Sequence, residues 1–434
     1  MEKIIIKGVD ETIFYEELKN GLKVYLLPNN NVKNFYITFN THFGSMYTEF
    51  KKEKDKSYTK VPDGVAHYLE HLMFNMPDGS AFDYFSKLGS SVNAFTTYDL
   101  TCYEVYASKY FKENLNYLLD YVQTPYFTKE MVNKERGIIT EEIKMYDNNP
   151  NTELIYKMNE MIFQKDKRKD LISGTVEDIK KITYEDILSC YETFYHPSNM
   201  FIVITGCFNP EEALAIIHEN QNGKEFSENP NPVIKKISEP KTVKEEYFVK
   251  EMNVETNKVN IGIKIPLKSL NNLKIPYIRL RTYLALITKS KFGSSSLLHE
   301  RLTNGGIILN GMGIRRTYTN DYIIINIITE TDYPDRFISI IKDELNHIRI
   351  TKEELERKVK TFISGYILHY DDIESVNLDI QSDIIELNEP IDNMINIYKE
   401  LNISELNKLI NALKFTNIST LIIKPFQDKK LIKT

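Results

Sequence analysis

The chain has 434 residues, 42% hydrophobic, 27% charged and 12% aromatic. Its 55 Lys and Arg against 61 Asp and Glu leave a net charge of −6. That balance excludes a dedicated nucleic-acid binder, and so small a net charge with 28 Tyr and 22 Phe excludes a disordered chain.

The first residues, Met-Glu-Lys-Ile-Ile-Ile, run at once into Lys7, Asp10 and Glu11, which predicts no signal peptide, and with no run of about 18 apolar residues no membrane span is expected. A cytoplasmic location is expected. Strands are predicted at Lys23 to Leu27 and Phe35 to Phe43, entered through a turn at Asn20-Gly21. Glu49 to Lys60 reads as a polar loop. A helix is predicted from Gly64 to Phe74, stopped by Pro77 and Gly79, and a short one from Ala81 to Leu88, ended by Gly89. Strands near Val92 to Thr97 and Cys102 to Ala107 follow, then helices at about 110–123, 128–146, 151–163 and Tyr184 to Phe194. An apolar strand, Met200 to Thr205, and a helix after Pro210 close the first half. Cys102 and Cys207 fall in strand-like runs and are expected to be small buried hydrophobes; Cys190 joins them in no metal or disulfide spacing. The short basic runs Lys51-Lys52 and Lys165 to Lys169 are diluted by acids and read as solvated faces.

Residues 223–244 are polar and rich in Pro, Asn and Lys, and read as a linker. Beyond them the grammar repeats. Strands are predicted at Glu245 to Val249 and Lys258 to Ile265, helices at Ile278 to Thr288 and Ser295 to Thr303, and strands at Ile308 to Arg315 and Tyr322 to Thr329. Helices at 334–349, 352–369 and 404–413 and a last strand, Ser419 to Ile423, complete the pattern. The expected fold is α+β. Two similar domains, 1–222 and 245–434, would each carry an antiparallel-rich sheet covered by helices, the second without a metal site.

One segment carries chemistry: His67-Tyr68-Leu69-Glu70-His71. On a helix, residues four apart share a face, so both imidazoles can reach one ion, with Glu70 on the same side. The order H-x-x-E-H is the inverted zincin motif. With 8 His in the chain, chance supplies about one such match per hundred chains, so a metal site is favoured. Catalytic zinc needs a third protein ligand. The helix at 128–146 offers Glu135 and Glu142, seven apart on one face, while Glu141 points elsewhere. Spacing alone does not separate a ligand from a surface ion-pair partner there.

The motif followed 71 positions later by Glu142, the second member of an E-x6-E pair, resembles the pitrilysin/insulinase family of zinc peptidases. Asn20 to Tyr25, Phe43-Gly44-Ser45, Ser91 to Thr96 and Tyr195-His196-Pro197-Ser198-Asn199-Met200 are similar to further family stretches. The run from Glu142 to Pro150 resembles a bacterial, YmfH-like subgroup. The resemblance covers residues 12–215 by motif and the rest by architecture. It implies one zinc per chain held by His67, His71 and Glu142, with Glu70 as general base and Glu135 orienting a ligand. It also implies that the strand around Asn93 and Ala94 holds substrate backbone by β-addition. The expected activity is hydrolysis of peptide bonds in short peptides or in precursor and leader segments.

One family feature is not intact. The second domain of the family contributes an Arg and, seven residues later, a Tyr. Anchoring on Gly305 places Arg301 and Ile308 at those positions; anchoring on Gly306 places Leu302 and Leu309 there, and Tyr318 is out of register. This departure predicts a zinc-bearing subunit that pairs with a related subunit supplying the Arg and Tyr, or with a second copy. A non-catalytic structural subunit is the competing expectation. No G-x-G-x-x-G follows a strand and no Walker loop is present, so a nucleotide enzyme is not expected.

Overall fold

A computed structural model describes residues 1–77 and 79–426. The chain divides into two compact units, each assembled from three segments: 1–144 with 171–236 and 365–394, and 145–170 with 237–364 and 395–434.

The first unit is built on a seven-stranded sheet. Its order is Glu2–Ile6, Glu11–Glu17, Lys23–Pro28, Met200–Gly206, Phe35–Thr41, Thr101–Ala107 and Ser91–Thr96. Only Met200–Gly206 with Lys23–Pro28 is parallel. Phe35–Thr41 and Met200–Gly206 are buried at every position, as befits central strands covered on both faces. Side chains alternate between those faces. Ile37 and Phe39 enter the main core, together with helices α1 (Val65–Met73), α2 (Ala81–Leu88), α3 (Phe111–Gln123) and α4 (Lys129–Asp147). Thr38 and Asn40 point the other way and meet the helix Ile373–Leu387. There Asn377 accepts from Thr38 Oγ1 (2.7 Å) and donates to the Val203 carbonyl (3.0 Å), and Gln381 donates to Asn40 Oδ1 (2.6 Å).

The second unit has a five-stranded sheet in the order Tyr247–Met252, Ile418–Pro425, Asn257–Pro266, Tyr322–Thr331 and Met312–Tyr318. The first pair is parallel and the rest antiparallel. Val259, Ile261, Ile263 and Ile265 face one core. Their alternates Asn260, Gly262 and Lys264 lie under the helix Pro150–Ile162: Asn260 donates to the Leu154 carbonyl (2.9 Å), and a Cβ on Gly262 would sit 2.5 Å from Met158 Sδ.

These observations correct several expectations. The cut at 222/245 does not separate the compact units, because 145–170 joins the second-half sheet and 365–394 joins the first-half sheet. Residues 223–244 are not a free linker. Val233–Ile234 pairs with Glu49–Lys51, itself paired to Thr59–Lys60, so the supposed polar loop carries two strands of a small sheet. Glu239 is buried: it accepts backbone N–H groups of Gln164, Lys165 and Asp166 at 2.7–2.9 Å and pairs with Lys264 Nζ at 2.6 Å. Of the basic run, Lys165 is exposed, whereas 166–169 are half-buried, with Arg168 engaged by Asp166 and Lys169 by Asp170. Cys102 and Cys190 are buried, but Cys207 is exposed just past the end of its strand. Glu2–Ile6, Glu11–Glu17 and the helix Ile373–Leu387 were not anticipated.

Candidate metal centre and active site

Helix α1 is apolar almost all round: Val65, Ala66, Tyr68, Leu69, Leu72 and Met73 are buried. Its start is fixed by backbone rather than by a capping side chain. Gly64 takes φ 86°, and a Cβ there would lie 2.2 Å from the Ser173 carbonyl oxygen, so only glycine fits. At the other end Asn75 Nδ2 donates to the Leu72 carbonyl (2.9 Å). His67 and His71 interrupt this buried helix on one side, 14% and 24% exposed, with ring centroids 4.6 Å apart. Facing them is α4, pinned by a hydrogen bond from the Tyr68 hydroxyl to the Val132 carbonyl.

The structure brings Glu142 to the two histidines. Its carboxylate oxygens lie 3.8 Å from His67 Nε2 and 3.5 Å from His71 Nε2, and one donor atom from each of the three residues falls within 4.8 Å of the others. Such separations exceed good hydrogen bonds. They approach the edge of a coordination tetrahedron, about 3.3–3.5 Å for bonds of about 2.0–2.2 Å. Glu135 lies behind the cluster, 3.0 Å from His71 Nδ1, which leaves His71 Nε2 facing Glu142. Glu141 is solvated and bonded to Lys144.

Electrostatics favour a cation here. Burial, reinforced by His71, pushes His67 down to about 3, so its imidazole is neutral and able to ligate. Burial also works against a charged His71. The hydrogen bond to Glu135 and the charges of Glu70, Glu142 and Glu135 outweigh it, and His71 titrates above the ordinary histidine value. Glu70 is only 6% exposed; burial raises it to about 7, against the lowering effects of a Thr96 hydrogen bond and of His71. Three carboxylates around two imidazoles, with one imidazole held neutral, are a donor set suited to a divalent metal.

Thr96 was not foreseen from sequence. Its Oγ1 donates to Glu70 Oε2 at 2.6 Å, which orients one carboxylate oxygen and leaves the other available. Thr96 ends the strand Ser91–Thr96, which also carries Asn93 and Ala94. This is an edge strand: it pairs on one side with Thr101–Ala107, Asn93 opposite Glu104 and Ala94 opposite Tyr103. Asn93 is exposed and Ala94 half-buried against the core. Arg301 lies in the other compact unit, exposed on the helix Leu297–Asn304. Ile308 and Leu302 are core residues there, and Tyr318 is engaged by the Arg281 guanidinium, 4.5 Å from its ring.

Residues 54–176 match the family model described as insulinase, peptidase family M16, and residues 181–362 match the M16 inactive domain. The chain is 36% identical over 373 residues to YmfH, an uncharacterized zinc protease of Bacillus subtilis, covering 84% of this chain and 86% of that protein. It is 27% identical over 205 residues to a probable mitochondrial-processing peptidase subunit beta of Arabidopsis thaliana, covering 45% of this chain and 36% of that one. Among solved structures, a putative M16-like peptidase from Alicyclobacillus acidocaldarius superposes with a TM-score of 0.90 at 27% identity, over 97% of this chain and 100% of that one.

Proposed function

This chain belongs to the insulinase family of peptidases, M16, and on that premise we propose that it is a zinc-dependent metalloendopeptidase acting on short peptides or on precursor and leader segments. The observation that carries this reading is the convergence of His67, His71 and Glu142 around one point, with Glu70 on the same helix. Those three residues would hold one zinc per chain, with Glu135 fixing the His71 ring. Relatives named as zinc proteases support that metal. When bound, the ion supplies Lewis acidity to a carbonyl and acidity to a water in its open position.

The rest is the work of the chain's own groups. Glu70, held by Thr96 through Oε2, receives the proton of the attacking water on its free oxygen and returns it to the leaving amine. The buried setting that raises its proton affinity suits both transfers. The open side of Ser91–Thr96, at Asn93 and Ala94, binds substrate backbone as an added strand.

We further propose that the chain works with a second subunit. The Arg and Tyr that the family places in its second domain are not both present under either alignment, Arg301 with Ile308 or Leu302 with Leu309, and a relative is named as a subunit of a probable processing peptidase. Three free cysteines support a reducing, cytoplasmic location; no helix among the described residues is long and apolar enough to cross a membrane. The test is peptidase assay of the zinc-loaded chain on a quenched-peptide library, alone and with a family subunit that carries the Arg and Tyr. Slow cleavage alone that rises on mixing is the expected result. Full activity alone removes the second subunit. Zinc binding without cleavage in either case leaves a non-catalytic subunit.

A further inference from the structure

Helix α4 is buried at Val132, Ile139 and Ile143, and its first half forms one wall of a cavity of about 230 Å³. The other wall is the turn that joins the helices Val176–Lys181 and Tyr184–Phe194. All of these residues belong to the first compact unit. Arg136 follows Glu135 and is turned about 100° from it round the helix, so the cavity opens on a different face from the candidate metal ligands. Four cations line the space, Lys129 and Arg136 from α4 and Lys180 and Lys181 from the facing turn, against one acid, Glu185.

The charges do not cancel. Lys129 is paired with Glu185 at 2.9 Å, and Lys181 with Asp178 at 3.3 Å. Among the described residues, neither Arg136 nor Lys180 has a carboxylate within ion-pair distance. The half-buried Arg136 guanidinium meets only neutral acceptors: Nη1 donates to Asn133 Oδ1 and Nη2 to the Ile182 carbonyl, both at 3.0 Å. Its Nε is a buried donor with no partner. A guanidinium partly withdrawn from water and short of an acceptor is costly, and an anion offsets that cost with charge-assisted hydrogen bonds. Size narrows the choice. The space exceeds the roughly 30 Å³ share of one water several-fold, and is smaller than the roughly 300–1,000 Å³ of sites for drug-sized molecules. Two uncompensated positive charges match a doubly charged group.

We propose that this cavity binds a small phosphate-bearing anion, inorganic phosphate or a phosphate monoester, held by Arg136 and Lys180. Bound there, the anion ties α4 to the 180–185 turn and steadies the helix that carries Glu135 and Glu142. No bond of the anion is broken, and the site stands whether or not the chain is a peptidase. The test is isothermal titration calorimetry on the full chain, zinc-loaded and after chelation, at constant ionic strength. Inorganic phosphate and glycerol phosphate are titrated separately; the tighter of the two says whether the free ion or the monoester is the ligand. One equivalent should bind in both metal states. Lys180→Ala, at an exposed position, should weaken binding by about tenfold or more, the factor that one charge-assisted hydrogen bond supplies. Arg136→Lys keeps the charge but loses the planar fork, and should weaken it as well. Lys112→Ala, exposed and outside the cavity, should leave it unchanged. Phosphate should also raise the thermal midpoint of the wild type and not that of Lys180→Ala. No binding at millimolar phosphate, binding only when zinc is present, or equal affinity in wild type, Lys180→Ala and Arg136→Lys would overturn the site.

Discussion

At the scale of single residues, the candidate centre is a balance between burial and charge. His67 is kept neutral by its surroundings, whereas His71, a turn away, is surrounded by carboxylates. Glu135 is the residue through which that asymmetry can be tested. Its carboxylate holds His71 Nδ1 at 3.0 Å and thereby decides which nitrogen of the ring looks toward Glu142. Replacing such an orienting carboxylate weakens metal affinity by about 10–100-fold. Glu135→Gln should therefore bind zinc more weakly by that factor in a competition titration with a chelating dye, with the fold unchanged by circular dichroism. Equal affinity would remove Glu135 from the metal's support. His67, Glu70 and His71 were readable in the sequence because the geometry that unites them is local: i, i+3 and i+4 on one helix. Glu142 was reached through resemblance, since nothing in a charged helix tells a ligand from a salt-bridge partner. Thr96 was out of reach because its contact with Glu70 joins a strand to a helix 26 residues away in sequence.

At the scale of elements, the strands and helices with plain apolar periodicity were legible, and those with polar buried faces were not. The helix Ile373–Leu387 carries Asn377 and Gln381 on its packed side, which breaks the apolar stripe that announces a helix. The stretch at 237–244 was read as solvent-facing because it is polar, yet Glu239 is its anchor. Lys264, with no exposed surface, is satisfied by the Glu239 carboxylate and by the carbonyls of Ile162, Pro240 and Thr242. Removing one partner of such a buried pair costs about 3–5 kcal/mol, so Glu239→Gln should lower stability to denaturant by that order near pH 7. The pH dependence has a definite sign. Burial opposes the charged Glu239, but its backbone hydrogen bonds and Lys264 prevail and hold it below the ordinary glutamate value. Its contribution is therefore complete above the unfolded pKa near 4.5 and fades as pH falls through the lower folded value. Denaturant midpoints of wild type and Glu239→Gln should converge as pH falls below about 4.5. A gap that stays constant down to pH 3 would contradict this.

At the scale of the whole molecule, the repeated grammar of the two halves was legible, and the exchange between them was not. Each half's sheet has one face completed by a helix from elsewhere in the chain: Ile373–Leu387 on the first-half sheet and Pro150–Ile162 on the second-half sheet. Reading along a sequence assigns a helix to its neighbours, and only burial of polar strand residues such as Thr38, Asn40, Asn260 and Lys264 hints that a distant partner must satisfy them. The consequence for function is that the site-bearing unit includes chain from both halves, so activity belongs to the intact molecule. Whether this molecule is a peptidase in which Glu70 moves the proton at a metal held by His67, His71 and Glu142 is decided on the full chain and its Glu70→Gln variant. Zinc per chain and hydrolysis of a quenched-peptide library are measured on the same preparations, with the family subunit present if the chain alone is slow. The expected result is about one zinc per chain in both and hydrolysis lower in Glu70→Gln by about 10²–10⁴-fold. Equal hydrolysis by the two proteins, or absence of bound zinc in the wild type, would contradict it.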